Sequence, residues 1–104
     1  MESKLLEIIN HYGVMHQLKY FQSEVFELNE AIINAEKYEP RQGDIFAKTV
    51  CNLKANVDHI TEEIADVMVM LEQFKLYYGI SSEEITHIFW SKVDRQLERI
   101  KSEK

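Results

Sequence analysis

The chain has 104 residues, 45% hydrophobic content and a net charge of −6, which fits one domain over residues 1–104 and excludes a wholly disordered tail. The acidity, with a pI of about 5.2, excludes attraction of the whole molecule to a bare phosphate backbone or to anionic lipid, so neither nucleic acid nor membrane is an expected partner. Cys51 is the one cysteine, so no internal disulfide can form, and no signal peptide or long apolar run is visible, a pattern expected of a soluble cytoplasmic protein. A domain this small leaves apolar surface uncovered, and association with further copies is expected.

Three glycines and one proline leave few places to turn and argue for long helices. Residues 3–12, SKLLEIINHY, predict a short amphipathic helix that Gly13 ends as a left-handed cap. A second helix follows from Val14 to Tyr38, with an apolar stripe of Val14, Leu18, Phe21, Val25, Leu28 and Ile32, closed by Pro40 and Gly43. Asp44 is a candidate N-cap for IFAKTVCNLK, and the pattern leaves open whether residues 44–78 are one helix or two, broken near ANVDHI. From Ile60 the set Ile60, Ile64, Val67, Leu71 and Phe74 keeps a helical period that Gly79 ends. Ser81 with Glu84 makes a capping box, Ile80 and Ile85 a hydrophobic staple, and the last helix runs to Lys101. The expected architecture is an all-α bundle of four to five helices.

Two acidic pairs interrupt this apolar pattern. Glu24 and Glu27 flank Val25 on the second helix, and Glu63 and Asp66 repeat the spacing around Ile64. Residues three apart on a helix are neighbours, so each pair can aim two carboxylates at one spot. At about 100° per residue, Glu63 lies some 60° from the centre of its stripe and Asp66 about 120°, while Glu24 lies at a similar margin with Glu27 further round. The four acids are therefore expected at the boundary of a packed helix pair, converging if the helices run antiparallel. Two like charges 4 Å apart repel by about 4 kcal/mol at an effective dielectric of about 20, against a total domain stability of about 5–15 kcal/mol. A divalent cation removes that conflict, and oxygen ligands without histidine or cysteine favour Mg²⁺ or Mn²⁺. Mg²⁺ completes its shell with substrate phosphates, which points to a phosphate ester. Solvated surface charge is the bland alternative for any single E-x-x-E.

At these residues, EVFELNEAI and EEIADVMVML, the chain resembles the MazG-like nucleoside triphosphate pyrophosphohydrolases of the all-α NTP pyrophosphatase superfamily; the run YGVMHQLKYFQSEVFELNEAI shares the likeness, which covers about residues 10–100. The resemblance implies Mg²⁺-dependent cleavage of a nucleoside triphosphate between the α and β phosphates, giving monophosphate and pyrophosphate. It makes Glu24, Glu27, Glu63 and Asp66 metal ligands, with Glu24 or Glu27 also orienting or deprotonating the attacking water, and Glu62 either an acid that orients a neighbour or a solvated one. It also implies a homodimer or homotetramer with pockets near subunit contacts. The 35 positions between the pairs, residues 28–62, exceed the spacing of compact family members, and the surplus falls in KYEPRQGDIFAKTVCNLK.

On the last helix Lys92, Arg95 and Arg99 form a basic stripe, expected either to clamp phosphates or to pair with Asp94 and Glu98 and favour the helix dipole. SKVDRQLER is similar to the family's basic segment, which favours Lys92 and Arg95 as clamps. His59 lies one turn before Glu63, but no H-E-x-x-H pattern supports zinc; His11, His16 and His87 have no partner pattern. The aromatics Tyr20, Phe21, Phe26, Tyr77, Tyr78, Phe89 and Trp90 read as core or subunit interface rather than base-stacking groups. Gln17 and Lys19 are weaker candidates for base or phosphate contact. The rival to the enzyme is a non-catalytic helical oligomerisation or interaction module; a relative acting on another pyrophosphate, such as phosphoribosyl-ATP, is a third option.

Overall fold

A computed structural model describes residues 2–37 and 46–103; the expected closure at Pro40 and Gly43 and the N-cap at Asp44 lie outside them. Four helices follow one another: α1 (Glu2–Tyr12), α2 (Val14–Glu36), α3 (Phe46–Tyr77) and α4 (Ser82–Ser102). No strand occurs among the described residues.

A single residue separates α1 from α2. Gly13 donates its N–H to Ile9 O at 2.8 Å, closing α1, and accepts from Gln17 N at 3.0 Å, opening α2. Its dihedrals, φ 89° and ψ 151°, lie outside the left-handed helical region predicted for it and in extended space that only glycine enters readily. The chain therefore turns sharply there, laying α1 against both long helices.

Residues 46–77 form one helix of 32 residues with no break at ANVDHI; Thr61 bonds back to the Val57 carbonyl at 2.8 Å within it. Its end is a Schellman cap: Gly79, at φ 67°, and Ile80 donate to Leu76 O and Lys75 O. The predicted capping box is present, with Glu84 N donating to Ser81 Oγ and Ser81 N to Glu84 Oε2. Ile80 and Ile85 line one apolar recess in the crook between α3 and α4, where Lys75 Nζ also donates to Ser82 Oγ at 2.8 Å.

The main packing is α2 against α3, with α1 laid chiefly on α3. The Phe21 and Phe74 rings meet edge to face across this seam, 5.6 Å apart. Ile9, Ala31 and Met70 are buried. The predicted α2 stripe is displaced, however: Gln17, Glu24 and Ala31 are the buried residues, whereas Leu18, Val25 and Ile32 are exposed. The exposed three lie roughly a quarter-turn round the helix from the seam, as Ile64 and Leu71 do on α3. In an antiparallel pair these sets fall on the same side, leaving an uncovered apolar face opposite α1.

Among the described residues, α4 packs along none of the other helices and has no buried residue; Ile85, Ile88, Phe89, Trp90, Leu97 and Ile100 are all exposed. The Cα radius of gyration, 18.5 Å, exceeds the ~13 Å of a compact domain near 100 residues. The four helices thus form a three-helix body with a projecting arm rather than a closed bundle.

Candidate metal centre

α2 and α3 run their acidic segments past each other so that Glu24, Glu63 and Asp66 converge. One carboxylate oxygen from each lies within 4.8 Å of the other two. Glu24 and Glu63 are only 5% and 8% exposed, contrary to the boundary position expected for them, while Asp66 stays open to solvent. The reason is the displaced seam: apolar residues on two faces of α2 read as one stripe, whose centre was misplaced by the uncovered set Leu18, Val25 and Ile32.

Glu24 Oε2 and Glu63 Oε2 are buried with no hydrogen-bond partner among the described residues. Burying a carboxylate oxygen without a partner is costly, and the group responds by favouring its neutral form. The pKa values of both are accordingly raised, first by desolvation and then by carboxylate neighbours: Glu27, Asp66 and Glu63 around Glu24; Glu27 and Asp66 around Glu63. Glu27, expected as a fourth ligand, falls outside the three converging oxygens; it is an exposed rim acid that adds its charge to the cluster. Tyr20 lies one turn before Glu24; the neighbouring carboxylate raises the phenol's pKa, and the phenol offsets part of the Glu24 rise. His59 Nε2 approaches Glu63 Oε1 at 4.0 Å, near enough to lower the Glu63 pKa slightly when charged. Glu62 is exposed.

Lys92, Arg95 and Arg99 are exposed on the projecting α4, and a single chain does not bring them to the three acids. Lys19 is likewise exposed.

Beside the acids lies a recess of about 390 Å³ to which Asp66 and Tyr20 contribute directly. Tyr12 and His16 stack at its wall, ring centroids 4.9 Å apart and planes within 16°. Deeper in, Gln17 Nε2 donates to Gln73 Oε1 at 2.9 Å, joining α2 to α3. Neither Tyr12 nor Gln73 stood out in the sequence. The signal for Gln73 was a polar residue one turn from Met70 on the inward side of α3, where leucine would pack.

Compared with known proteins, the chain matches no family model, no curated protein and no solved structure. Among the described residues, no helix is long and apolar enough to cross a membrane.

Proposed function

We propose that the chain is a Mg²⁺-dependent nucleotide pyrophosphohydrolase, cleaving a (d)NTP to the (d)NMP and pyrophosphate. One observation carries the reading: two buried carboxylates on separate helices, each with one oxygen unpartnered among the described residues, converge with a third carboxylate. A purely structural role gives no reason to retain that arrangement, because apolar residues at 24 and 63 would pack with no desolvation cost. The donor set is all oxygen, which suits Mg²⁺ or Mn²⁺, and the open Asp66 side leaves room for phosphate oxygens.

Within this reading Glu24, Glu63 and Asp66 hold the ion, and Glu27 at the rim either joins them or steers the attacking water. The bound ion supplies neutralisation of triphosphate charge and acidification of a water. Lys92 and Arg95 serve as phosphate clamps only if α4 of another copy supplies them. The family resemblance of EVFELNEAI and EEIADVMVML supports the choice of bond cleaved.

We further propose that the protein is a homodimer or homotetramer. Five exposed apolar side chains on the α2/α3 face and six on α4, at roughly 80–100 Å² of uncovered surface each, amount to about 900–1,100 Å², the scale that one partner buries in a stable interface. The same faces favour the rival reading, a non-catalytic interaction module.

Pyrophosphate release from a panel of NTPs with Mg²⁺ tests the enzyme. Glu63→Gln or Asp66→Asn is expected to lower turnover by about a hundredfold or more, in line with loss of metal-supplied stabilisation, with helicity retained. Unchanged turnover in folded variants removes the assignment. Absence of any Mg²⁺-dependent melting shift in the wild type favours the interaction module.

A further inference from the structure

We propose that the recess beside the acidic cluster receives the nucleobase, and that the paired carboxamides of Gln17 and Gln73 read its hydrogen-bonding edge. This rests on the nucleotide reading above and names the part of the protein that would choose among bases.

The argument starts from an anomaly in the α2/α3 seam. Gln17 and Gln73 are 4% and 1% exposed, buried where apolar side chains would be favoured. A carboxamide has two N–H donors and two acceptor lone pairs, and leaving them unmet in an apolar interior is unfavourable. Their mutual bond at 2.9 Å uses one donor of Gln17 and one acceptor site of Gln73. Gln17 Oε1 pairs with His16 Nδ1 at 3.0 Å. Gln73 Nε2 finds only the Met70 sulfur, at 3.7 Å, a weak acceptor. Among the described residues, the second N–H of Gln17 and the better part of the Gln73 donor capacity are therefore unspent.

Both residues line the recess, so a molecule held there is the nearest partner available to that spare capacity. A carboxamide presents a donor and an acceptor side by side, the pattern that matches the paired donor and acceptor on a base edge. The stacked Tyr12 and His16 rings supply a flat aromatic surface, on which a base of any identity can lie. The volume of about 390 Å³ falls in the range of small-molecule sites. Asp66 and Tyr20, shared with the acidic cluster, fix the orientation: a base held against the glutamines directs its phosphates toward Glu24, Glu63 and Asp66.

The competing account is structural, since a buried amide pair can set the register of two helices. The two accounts separate under Gln17→Leu with Gln73→Leu, because replacing both partners by apolar groups of similar shape is close to neutral or stabilising. Binding of adenosine, guanosine, cytidine and uridine, without phosphate or metal, is followed by NMR at the Tyr12 and His16 rings. Binding of inorganic tripolyphosphate with Mg²⁺ is measured by calorimetry as a second arm. The wild type is expected to rank the four nucleosides and shift both rings. The double variant is expected to lose nucleoside affinity by about tenfold or more, as loss of a bidentate base contact does, to lose the ranking, and to keep tripolyphosphate affinity. A variant that keeps both affinity and ranking overturns the proposal, as does a wild type whose Tyr12 and His16 signals ignore every nucleoside. If the variant does not fold, the side-chain amide signals of Gln17 and Gln73 in the wild type decide: they shift on nucleoside binding, or the proposal fails. Because nucleosides carry no phosphate, a failure of pyrophosphohydrolase activity leaves this test intact, and a failure here leaves the tripolyphosphate arm intact.

Discussion

Glu24 on α2 and Glu63 on α3 each bury one carboxylate oxygen without a hydrogen-bond partner among the described residues, on facing helices and in reach of Asp66. On the metal reading proposed above, a divalent cation would give these acids the partner they lack and offset their mutual repulsion.

The first expectation concerns charge removal. Glu24→Gln and Glu63→Gln each remove a desolvated, repelled charge while keeping the side chain's shape. Without metal, both variants are expected to melt several degrees above the wild type. Wild-type protein at a Mg²⁺ concentration a hundred times its Kd gains about 2.7 kcal/mol from binding the native state alone, and the variants lose most of that gain. Scanning calorimetry with and without MgCl₂ checks both signs; variants that melt lower than the wild type without metal contradict the picture.

Proton linkage gives the second expectation. The folded-state pKa values of Glu24 and Glu63 are raised, chiefly by desolvation. Between the ordinary value of 4.5 and the raised one, the native state holds more protons than the unfolded state, so stability falls as pH rises through that window. The metal-free protein is therefore expected to be more stable in mild acid than at pH near 8. With saturating Mg²⁺ the order reverses, because protons compete with the ion for the same oxygens. Melting temperatures across pH in EDTA and in MgCl₂ measure it, and parallel curves in the two buffers would sink it.

The elements were legible where local chemistry defines them. Ser81 with Glu84, and Gly79 after Tyr78, mark their boundaries by interactions within a few residues, so the sequence locates the start of α4 and the end of α3. Helical spacing sets Glu24 beside Glu27 and Glu63 beside Asp66 within each helix; their meeting across helices was expected only if α2 and α3 run antiparallel with those margins facing. What sequence could not resolve was which of two apolar faces on α2 meets α3. Leu18, Val25 and Ile32 are as hydrophobic as Phe21 and Leu28, and only the tertiary contact separates an inward face from an uncovered one. That ambiguity hid the burial of Glu24 and the role of Gln17, both of which sit on the seam. Likewise, the regular pattern of α4 reports that it needs a partner surface without telling whether its own chain supplies one.

That uncovered surface yields a third expectation. Leu71 on α3 and Leu97 on α4 are both half-exposed in one chain. In an isolated chain, an aspartate at either position is a surface change, usually within about 0.5 kcal/mol. In an oligomer that covers them, it buries an unpaired charge and breaks association. Leu71→Asp and Leu97→Asp are expected to shift the sedimentation coefficient to that of a 12.3 kDa monomer. A wild type that itself sediments as a monomer, or variants that sediment with an oligomeric wild type, would contradict the expectation.

Gly13 is the hinge on which the recess depends. α1 contributes Ile8 and Tyr12 to one wall, α2 contributes His16 and Gln17, and Gly13 alone sets the angle between them. A Cβ at this position meets nothing within 4 Å, so Gly13→Ala creates no clash; its effect is purely the strain of an L-residue at φ 89° and ψ 151°, about 1–3 kcal/mol. At about 4–8 °C per kcal/mol for a domain of this size, melting is expected to drop by roughly 4–24 °C. If the backbone relieves the strain by swinging α1, the stacked Tyr12 and His16 rings part while Glu24, Glu63 and Asp66, carried by α2 and α3, keep their geometry. Nucleoside binding is then expected to weaken more than Mg²⁺ binding. Calorimetric titration of each ligand into Gly13→Ala reads the difference, and equal losses for both would mean that α1 supports the acidic centre as much as the recess.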